Sequence, residues 1–154
     1  MSLSPDKALA IGAYGESVAA YRYLIFAEHV QEKAHRDAFA AMADEEQEHK
    51  QRLQKLLART FPDADFVLSD EDKQRVVVGP RLPDIRDERS FAEALEMTLQ
   101  TEQRTSAFYR DLAHTTSDPH LRSLFKELAE EGAEHYQRLR DLIQAVTAGN
   151  QARN

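Results

Sequence analysis

The 154-residue sequence contains no cysteine and no tryptophan, and it has only five glycines and five prolines. Without cysteine the chain has no disulfide, thiol nucleophile, cysteine zinc site or iron–sulfur cluster of its own. Ordinary usage of glycine and proline would give roughly 18 such residues in a chain of this length. Because 31% of the residues are charged, this composition favours long helices over a turn-rich β protein.

The chain also lacks an excess of basic charge and any apolar run near the ~18 residues that a membrane-spanning helix needs. Its 20 Lys and Arg residues stand against 27 Asp and Glu residues, which gives a formal net charge of −7. An acidic surface repels phosphate backbones and anionic lipids, so no nucleic acid and no membrane is expected as a partner. In a signal sequence the apolar run follows a basic segment, whereas the apolar run 8–15 follows Asp6 and Lys7. This run is therefore a poor candidate for a signal sequence. A soluble, cytoplasmic protein is predicted.

Helix signals predict a single domain, residues 1–154, built from four long helices. The predicted helices cover about 5–31, 35–59, 91–115 and 119–149. Their starts are marked by Ser4, by a capping box of Ser90 and Glu93, and by Asp118. The last residues, Gln151 to Asn154, are expected to be frayed.

Nearly thirty residues, with three prolines, separate the second and third predicted helices. A connection of this length is uncommon unless the elements that it joins begin and end far apart. In a four-helix bundle it would carry the chain from one end to the other, so that these two helices run parallel. A single long crossover of this kind is typical of ferritin-like bundles.

The sequence repeats itself at an offset of 86 residues without a gap. This offset superposes Glu16 on Glu102, Tyr23 on Tyr109, Phe39 on Phe125, Glu45 on Glu131, His49 on His135 and 51–53 on 137–139. Such a match indicates two duplicated helical hairpins. The predicted fold is therefore an all-α, ferritin-like four-helix bundle, with hairpin one at about 5–60, the crossover at about 61–89 and hairpin two at about 90–148.

Glutamate and histidine are separated by 33 residues in both halves, from Glu16 to His49 and from Glu102 to His135. In an antiparallel hairpin two residues meet at one level when the turn lies midway between them. Both midpoints fall where the sequence predicts the turns. Helical phase, at about 100° per residue, places these four residues and Glu46 on stripes that face the core.

Buried carboxylates are unfavourable alone, but divalent cations can neutralise several of them together with two imidazoles. Glu46 and His49 stand at i and i+3, a spacing that presents an oxygen and a nitrogen to one ion from one helical face. A carboxylate and imidazole set without sulfur suits iron or manganese, and zinc is a further candidate. The pattern therefore predicts a site for two metal ions.

Three segments of the first half carry a family resemblance: Gly15-Glu16-Ser17, Tyr21-Arg22-Tyr23 and Asp44-Glu45-Glu46-Gln47-Glu48-His49. In these segments, and over both hairpins, the chain resembles the rubrerythrin branch of the ferritin-like superfamily. The resemblance implies a carboxylate-bridged centre of two iron ions, with peroxide, dioxygen or ferrous iron as small substrates. It also implies an oxidoreductase that forms a homodimer or a larger homo-oligomer. Since the chain has no cysteine-rich module, an external electron donor protein is expected.

The resemblance assigns roles to numbered positions. The metal ligands that it implies are Glu16, Glu46 and His49 in the first half and Glu102 and His135 in the second. Tyr23 and Tyr109 correspond to tyrosines that hydrogen-bond a ligand carboxylate, and the alternative for both is a core packing role. Glu45 is expected to be an outer partner of the ligands.

The second half departs from the family pattern at two positions. Gly132 stands where the second Glu-x-x-His requires its glutamate, and Glu131, at i−4 from His135, is the predicted replacement ligand. Thr105 stands where rubrerythrins often have an extra glutamate. Two rival functions therefore stay open: a metal-binding, iron-storage or carrier protein without redox turnover, and a metal-free structural descendant.

Overall fold

The computed structural model describes residues 3–65 and 67–153. In these ranges the chain forms five helices and no strands, namely α1 (Pro5–His29), α2 (Lys33–Thr60), α3 (Asp70–Gln74), α4 (Glu88–Thr115) and α5 (Pro119–Arg153). The four long helices confirm the predicted all-α bundle, and α3 is a short helix within the crossover. No helix of the described chain is long and apolar enough to cross a membrane.

The start of α4 differs from its prediction. Its N-cap is Asp87, whose Oδ1 accepts a hydrogen bond from Ser90 N at 2.8 Å, while Ser90 Oγ accepts one from Asp87 N at 3.0 Å. Ser90 is thus the third residue inside the helix rather than its cap, and the predicted capping box of Ser90 with Glu93 is wrong. Glu93 instead pairs with Arg89 at 3.4 Å on the exposed face. The crossover therefore ends before Glu88.

The end of α5 also differs, because the helix continues beyond Gly149 to Arg153. A glycine inside a helix costs about 1 kcal/mol relative to alanine but does not by itself end the helix. The prediction of a frayed terminus is wrong for the backbone of 151–153, and Asn154 lies outside the described residues. At the other end of this helix, Asp118 Oδ1 accepts hydrogen bonds from His120 N and Leu121 N, as predicted.

Each half of the sequence forms one antiparallel hairpin, with α1 against α2 and α4 against α5. The hydrogen bonds that join α1 to α4 include those from Tyr109 to Glu16 and from Tyr23 to Glu102. Residue numbers rise along α1 as they fall along α4, so these two helices are antiparallel. Since α2 is antiparallel to α1 as well, α2 and α4 run parallel, as the long crossover predicts.

The apolar core consists of two clusters separated by a polar layer. One cluster contains Leu9, Leu53, Tyr109 and Phe125, and the other contains Tyr23, Phe26, Phe39, Phe91 and Leu139. The polar layer lies between them along all four long helices. This arrangement places the predicted site residues in the middle of the bundle.

The crossover is held against α1 and α4 by Arg22, which is only 1% exposed. Arg22 Nη2 donates to Val78 O at 2.8 Å and to Pro80 O at 2.7 Å, and Nη1 donates to Thr101 Oγ1 at 3.0 Å. Gly79 lies between the two carbonyl groups with a φ of +78°, a conformation that favours glycine. The crossover therefore covers one side of the bundle.

Candidate metal centre

The polar layer contains four nearly inaccessible ionisable residues, one from each long helix. Glu16 is 4% exposed, Glu46 2%, Glu102 4% and His135 3%. His49, one turn after Glu46 on α2, is half-buried. Buried groups of this kind need charge partners, and here the acidic groups outnumber the basic ones.

These side chains form two overlapping groups. The ligand atoms of Glu16, Glu46 and His49 lie within 4.8 Å of one another, and so do those of Glu46, Glu102 and His135. Glu46 belongs to both groups, which is the position of a carboxylate that bridges two ions. The structure therefore brings together five of the six predicted ligands, and metal binding by them stays a prediction.

Glu131, the sixth predicted ligand, contacts the outer nitrogen of His49 and is in neither of these two groups. Its Oε2 lies 2.6 Å from His49 Nε2, whereas His49 Nδ1 faces Glu16 Oε2 at 3.6 Å. The contact lacks hydrogen-bond alignment, so Glu131 Oε2 is buried without a hydrogen-bond partner. Glu131 thus lies on the outer side of His49, away from Glu16.

His135 has the same arrangement with different partners. Its Nδ1 contacts Glu46 Oε1, and its Nε2 lies 2.7 Å from Glu45 Oε2, which Arg138 also binds. Glu45 is therefore in the outer position that the sequence predicts. Both histidines turn Nδ1 towards the buried carboxylates and Nε2 towards an outer carboxylate, an arrangement that fixes the tautomer and orientation of a metal-binding imidazole.

Two tyrosines hold the terminal carboxylates across the two hairpins. Tyr23 donates to Glu102 Oε1 at 2.7 Å, and Tyr109 donates to Glu16 Oε1 at 2.8 Å. The two bonds are equivalent under the 86-residue offset, and both tyrosines are also core residues. Burial and the nearby glutamates raise the pKa of both phenols well above its ordinary value, so the hydroxyls stay protonated donors.

Without a cation, the pKa values of the three buried carboxyl groups differ, because two are raised and one is lowered. Burial raises the pKa of Glu102 from 4.5 to about 8, against the effect of the Tyr23 hydrogen bond. Burial and the charge of Glu16 raise the pKa of Glu46 well above its ordinary value. Burial opposes ionisation of Glu16 too, but its interactions with Glu46 and with the charge of His49 hold its pKa below the ordinary value.

This donor set fits a pair of divalent cations. Cations can replace the protons of Glu46 and Glu102, because carboxylate ligands bind metal in their ionised form. Three carboxylates and two imidazoles without sulfur match the preference of iron and manganese, and zinc also accepts such ligands. The unpartnered Glu131 Oε2 adds a further negative group at the edge of the set.

The two departures from the family pattern have structural explanations. A Cβ on Gly132 would lie 3.2 Å from Ser106 Cβ, so α4 and α5 approach too closely for a glutamate there without adjustment. Ser106 Oγ also donates to Ala129 O at 2.8 Å across the same contact. Thr105 Oγ1 donates to Val76 O at 3.1 Å and thereby holds the crossover.

A cavity of about 600 Å³ opens between α2 and α5 over the two histidines. It is lined by Glu45, Glu48, His49, Glu131, Glu134, His135, Gln137 and Arg138. Since the crossover covers the side of α1 and α4, this cavity is the open side of the centre. Its acidic lining favours the approach of cations over anions.

The sequence interpretation missed the role of Arg22 and treated four histidines alike. A sequence signal for the burial of Arg22 is the apolar composition around it, which includes Ala19, Ala20 and Tyr23. The other four histidines lie near helix ends or on polar faces in the sequence, which predicts that all four are solvated. His114 and His120 are exposed as predicted, whereas His29 and His35 are half-buried. The ring of His29 packs against the ring of Phe91, with 4.2 Å between the ring centroids.

Comparisons with known proteins point to one family. The family model described as rubrerythrin matches residues 7–143. A solved structure of a hypothetical protein from Pyrococcus furiosus is similar with a TM-score of 0.80 and 21% identity, over 95% of this chain and 92% of that chain. This likeness shows the fold. No curated protein matches the sequence.

Proposed function

The chain belongs to the rubrerythrin family, and we propose that it is a non-haem di-iron oxidoreductase that reduces peroxide or oxidises ferrous iron. The ligands would be Glu16, Glu46, His49, Glu102 and His135. The observation that carries the proposal is that Glu46 belongs to both buried groups of ligand atoms. A shared carboxylate between two carboxylate and imidazole sets is the arrangement of a di-iron bundle.

Two ferrous ions held there would supply two electrons, which together with two protons convert hydrogen peroxide into two water molecules. An external donor protein or fresh ferrous iron would then restore the two electrons. Tyr23 and Tyr109 hold one oxygen each of Glu102 and Glu16, so the other oxygen of each carboxylate stays available to a metal ion. The outer carboxylates Glu45 and Glu131 face Nε2 of the histidines and keep Nδ1 directed inward.

The surroundings of the centre limit access to one side. The crossover covers the side of α1 and α4, where Arg22 and Thr105 bind its carbonyl groups. Ferrous ions and a small oxidant would therefore enter through the acidic cavity between α2 and α5. An external donor protein and a homodimer or larger homo-oligomer belong to the same proposal.

The second candidate is a metal-binding, storage or carrier protein without redox turnover. Gly132 and Thr105 favour it, because two carboxylates of the family pattern are replaced by packing and by an anchor for the crossover. If Glu46 were the one carboxylate shared by two ions, the centre would have fewer carboxylates than the family pattern to compensate the charge of two oxidised ions. A metal-free descendant is disfavoured, since such a core would keep three buried acids and two imidazoles where apolar side chains are equally or more stable.

The test is an anaerobic ferrous load followed by peroxide or dioxygen. We expect the loaded protein to consume one peroxide for every two ferrous ions, faster than free ferrous iron does, with a matching change in absorbance. Glu46→Gln should abolish this reaction. Asp44→Asn, the equivalent loss of charge at an exposed position on α2 outside the cavity, is the matched control and should preserve it. Tight binding of two ions without faster peroxide consumption would support the carrier instead.

A further inference from the structure

We infer that the two metal positions are unequal and that a divalent cation fills the position of the first hairpin before the other. Position A consists of Glu16, Glu46 and His49, and position B consists of Glu46, Glu102 and His135. The inference rests on the proposed two-ion centre. It concerns the charges that this chain places around each position, where the duplication is broken.

The outer carboxylates of the two positions differ in how they are neutralised. At position B, Glu45 is bound by both terminal nitrogens of Arg138. The equivalent pair at position A would be Glu131 and Arg52, but Arg52 donates instead to Glu127, at 3.0 and 3.3 Å. Glu131 Oε2 thus has no hydrogen-bond partner in the described structure, and its ion-pair contact is with His49.

The sequence explains why Arg52 turns away from Glu131. Glu127 is equivalent to Ala41 in the first half, so Arg138 has no competing carboxylate at the corresponding place. Position A therefore has an outer carboxylate to which no arginine is bound in the described structure, whereas Arg138 binds the outer carboxylate of position B.

A buried cation lies on the side of position B as well. The four hydrogen bonds of Arg22 in the described structure go to neutral oxygens, two hydroxyls of α4 and two carbonyls of the crossover. One of these hydroxyls is Thr101, the residue before Glu102. The equivalent of Arg22 in the second half is Phe108, next to Tyr109, which binds Glu16. Position A thus has an uncharged ring where position B has a guanidinium.

Both differences favour a divalent cation at position A. One unit of charge near a divalent ion in a partly buried site changes the affinity by about tenfold. The repulsion between Arg138 and an ion at position B is partly screened because Arg138 is exposed, so this repulsion should grow at low ionic strength. The repulsion by buried Arg22 should change little with ionic strength. The centre would then hold one ion firmly and exchange the other, and stepwise loading would give mixed-metal pairs.

The test is a titration of metal-free protein with Mn²⁺ at low ionic strength, followed by calorimetry and by the paramagnetic resonance signal of free Mn²⁺. We expect two binding steps whose dissociation constants differ by about tenfold or more. His49→Gln should remove the tight step and His135→Gln the weak one. Arg138→Gln should tighten the weak step by about tenfold, whereas Arg140→Gln, an exposed control on the same helix, should not.

Each outcome decides the inference. The order of filling would be overturned by two equal steps in the wild type. It would also be overturned by a tight step that survives in His49→Gln and is lost in His135→Gln. In both cases two bound ions would still support the proposed centre. Fewer than two ions bound to the wild type would overturn both. Arg22→Met, where it folds, should act like Arg138→Gln but with less dependence on salt.

Discussion

The two hairpins follow one pattern but differ at the position where the family pattern has a glutamate in each half. Hairpin one has Ala20 and Glu46 at positions that hairpin two fills with Ser106 and Gly132. In hairpin two the helices approach so closely that a Cβ on Gly132 would lie 3.2 Å from Ser106 Cβ. The comparison indicates that packing occupies this position in hairpin two, whereas Glu46 of hairpin one lies near candidate ligand atoms of both halves.

Gly132→Glu would restore the repeat and should have the largest effect. Its Cβ would crowd Ser106, and its carboxyl group would join three buried acids. We expect the metal-free variant to lose about 4 kcal/mol of unfolding free energy, measured by urea denaturation. Gly132→Ala separates the two causes, because it adds the contact without the acid and gains about 1 kcal/mol of helix propensity. Unchanged stability of Gly132→Glu would contradict the packing explanation.

The pH dependence of metal-free protein should reveal the difference between Glu102 and Glu16. The pKa of Glu102 is raised from 4.5 to about 8, so the folded state binds this proton more tightly than the unfolded chain does. Stability should therefore fall as the pH rises through this window, by on the order of 3 kcal/mol. Glu16, with a lowered pKa, should lose its contribution only below about pH 4.5.

Chemical denaturation of metal-free protein at about pH 5.5 and pH 8 measures this slope. Glu102→Gln is the control and should make the slope smaller, because the amide does not titrate while Glu46, whose pKa is also raised, still contributes. A stability that is constant or rises over this range would show that Glu102 ionises normally in the folded protein.

Removing the hydrogen bonds of the two equivalent tyrosines allows a direct comparison of the two hairpins. Tyr23→Phe and Tyr109→Phe each remove a donor from a buried carboxyl oxygen, at nearly equal distances of 2.7 and 2.8 Å. Each variant should lose about 2 kcal/mol of unfolding free energy in urea. Tyr21→Phe, at a residue that is 45% exposed, is the control and should change little. A large loss in one variant and none in the other would refute the equivalence.

The smallest effect is expected for the ion pair of Arg52 with Glu127. Both side chains are about half exposed, at 45% and 50%, and solvent screens such pairs. Arg52→Gln should change the unfolding free energy by less than about 0.5 kcal/mol, and salt should reduce that difference further. Thermal unfolding at low and high salt measures it. A loss above 1 kcal/mol would indicate that this pair supports the contact of α2 with α5.

The duplication made much of the centre predictable from sequence. Equal Glu-to-His spacings around two turns predicted that Glu16 and His49 would meet, and the structure places them 3.6 Å apart. The position of Glu131 was harder to predict, since one residue is about 100° of rotation around a helix. That rotation separates Glu131 from Gly132 and directs it to the outer nitrogen of His49.

The contacts of the crossover could not be predicted, because its path follows no helical or strand periodicity. The burial of Arg22 depends on two carbonyl groups that the turn at Gly79 brings to one nitrogen. Thr105 likewise became an anchor for Val76 only through that path. Sequence periodicity predicts contacts between regular elements, whereas these contacts depend on the conformation of an irregular segment.

The central claim is that two ions share Glu46, and Mössbauer spectroscopy tests it most directly. The wild-type protein would be loaded anaerobically with two equivalents of ⁵⁷Fe²⁺ per chain and then oxidised. The account predicts two irons per chain that become an exchange-coupled ferric pair, because a shared carboxylate holds them close together. Two magnetically isolated ferric ions, or a single bound iron, would contradict it.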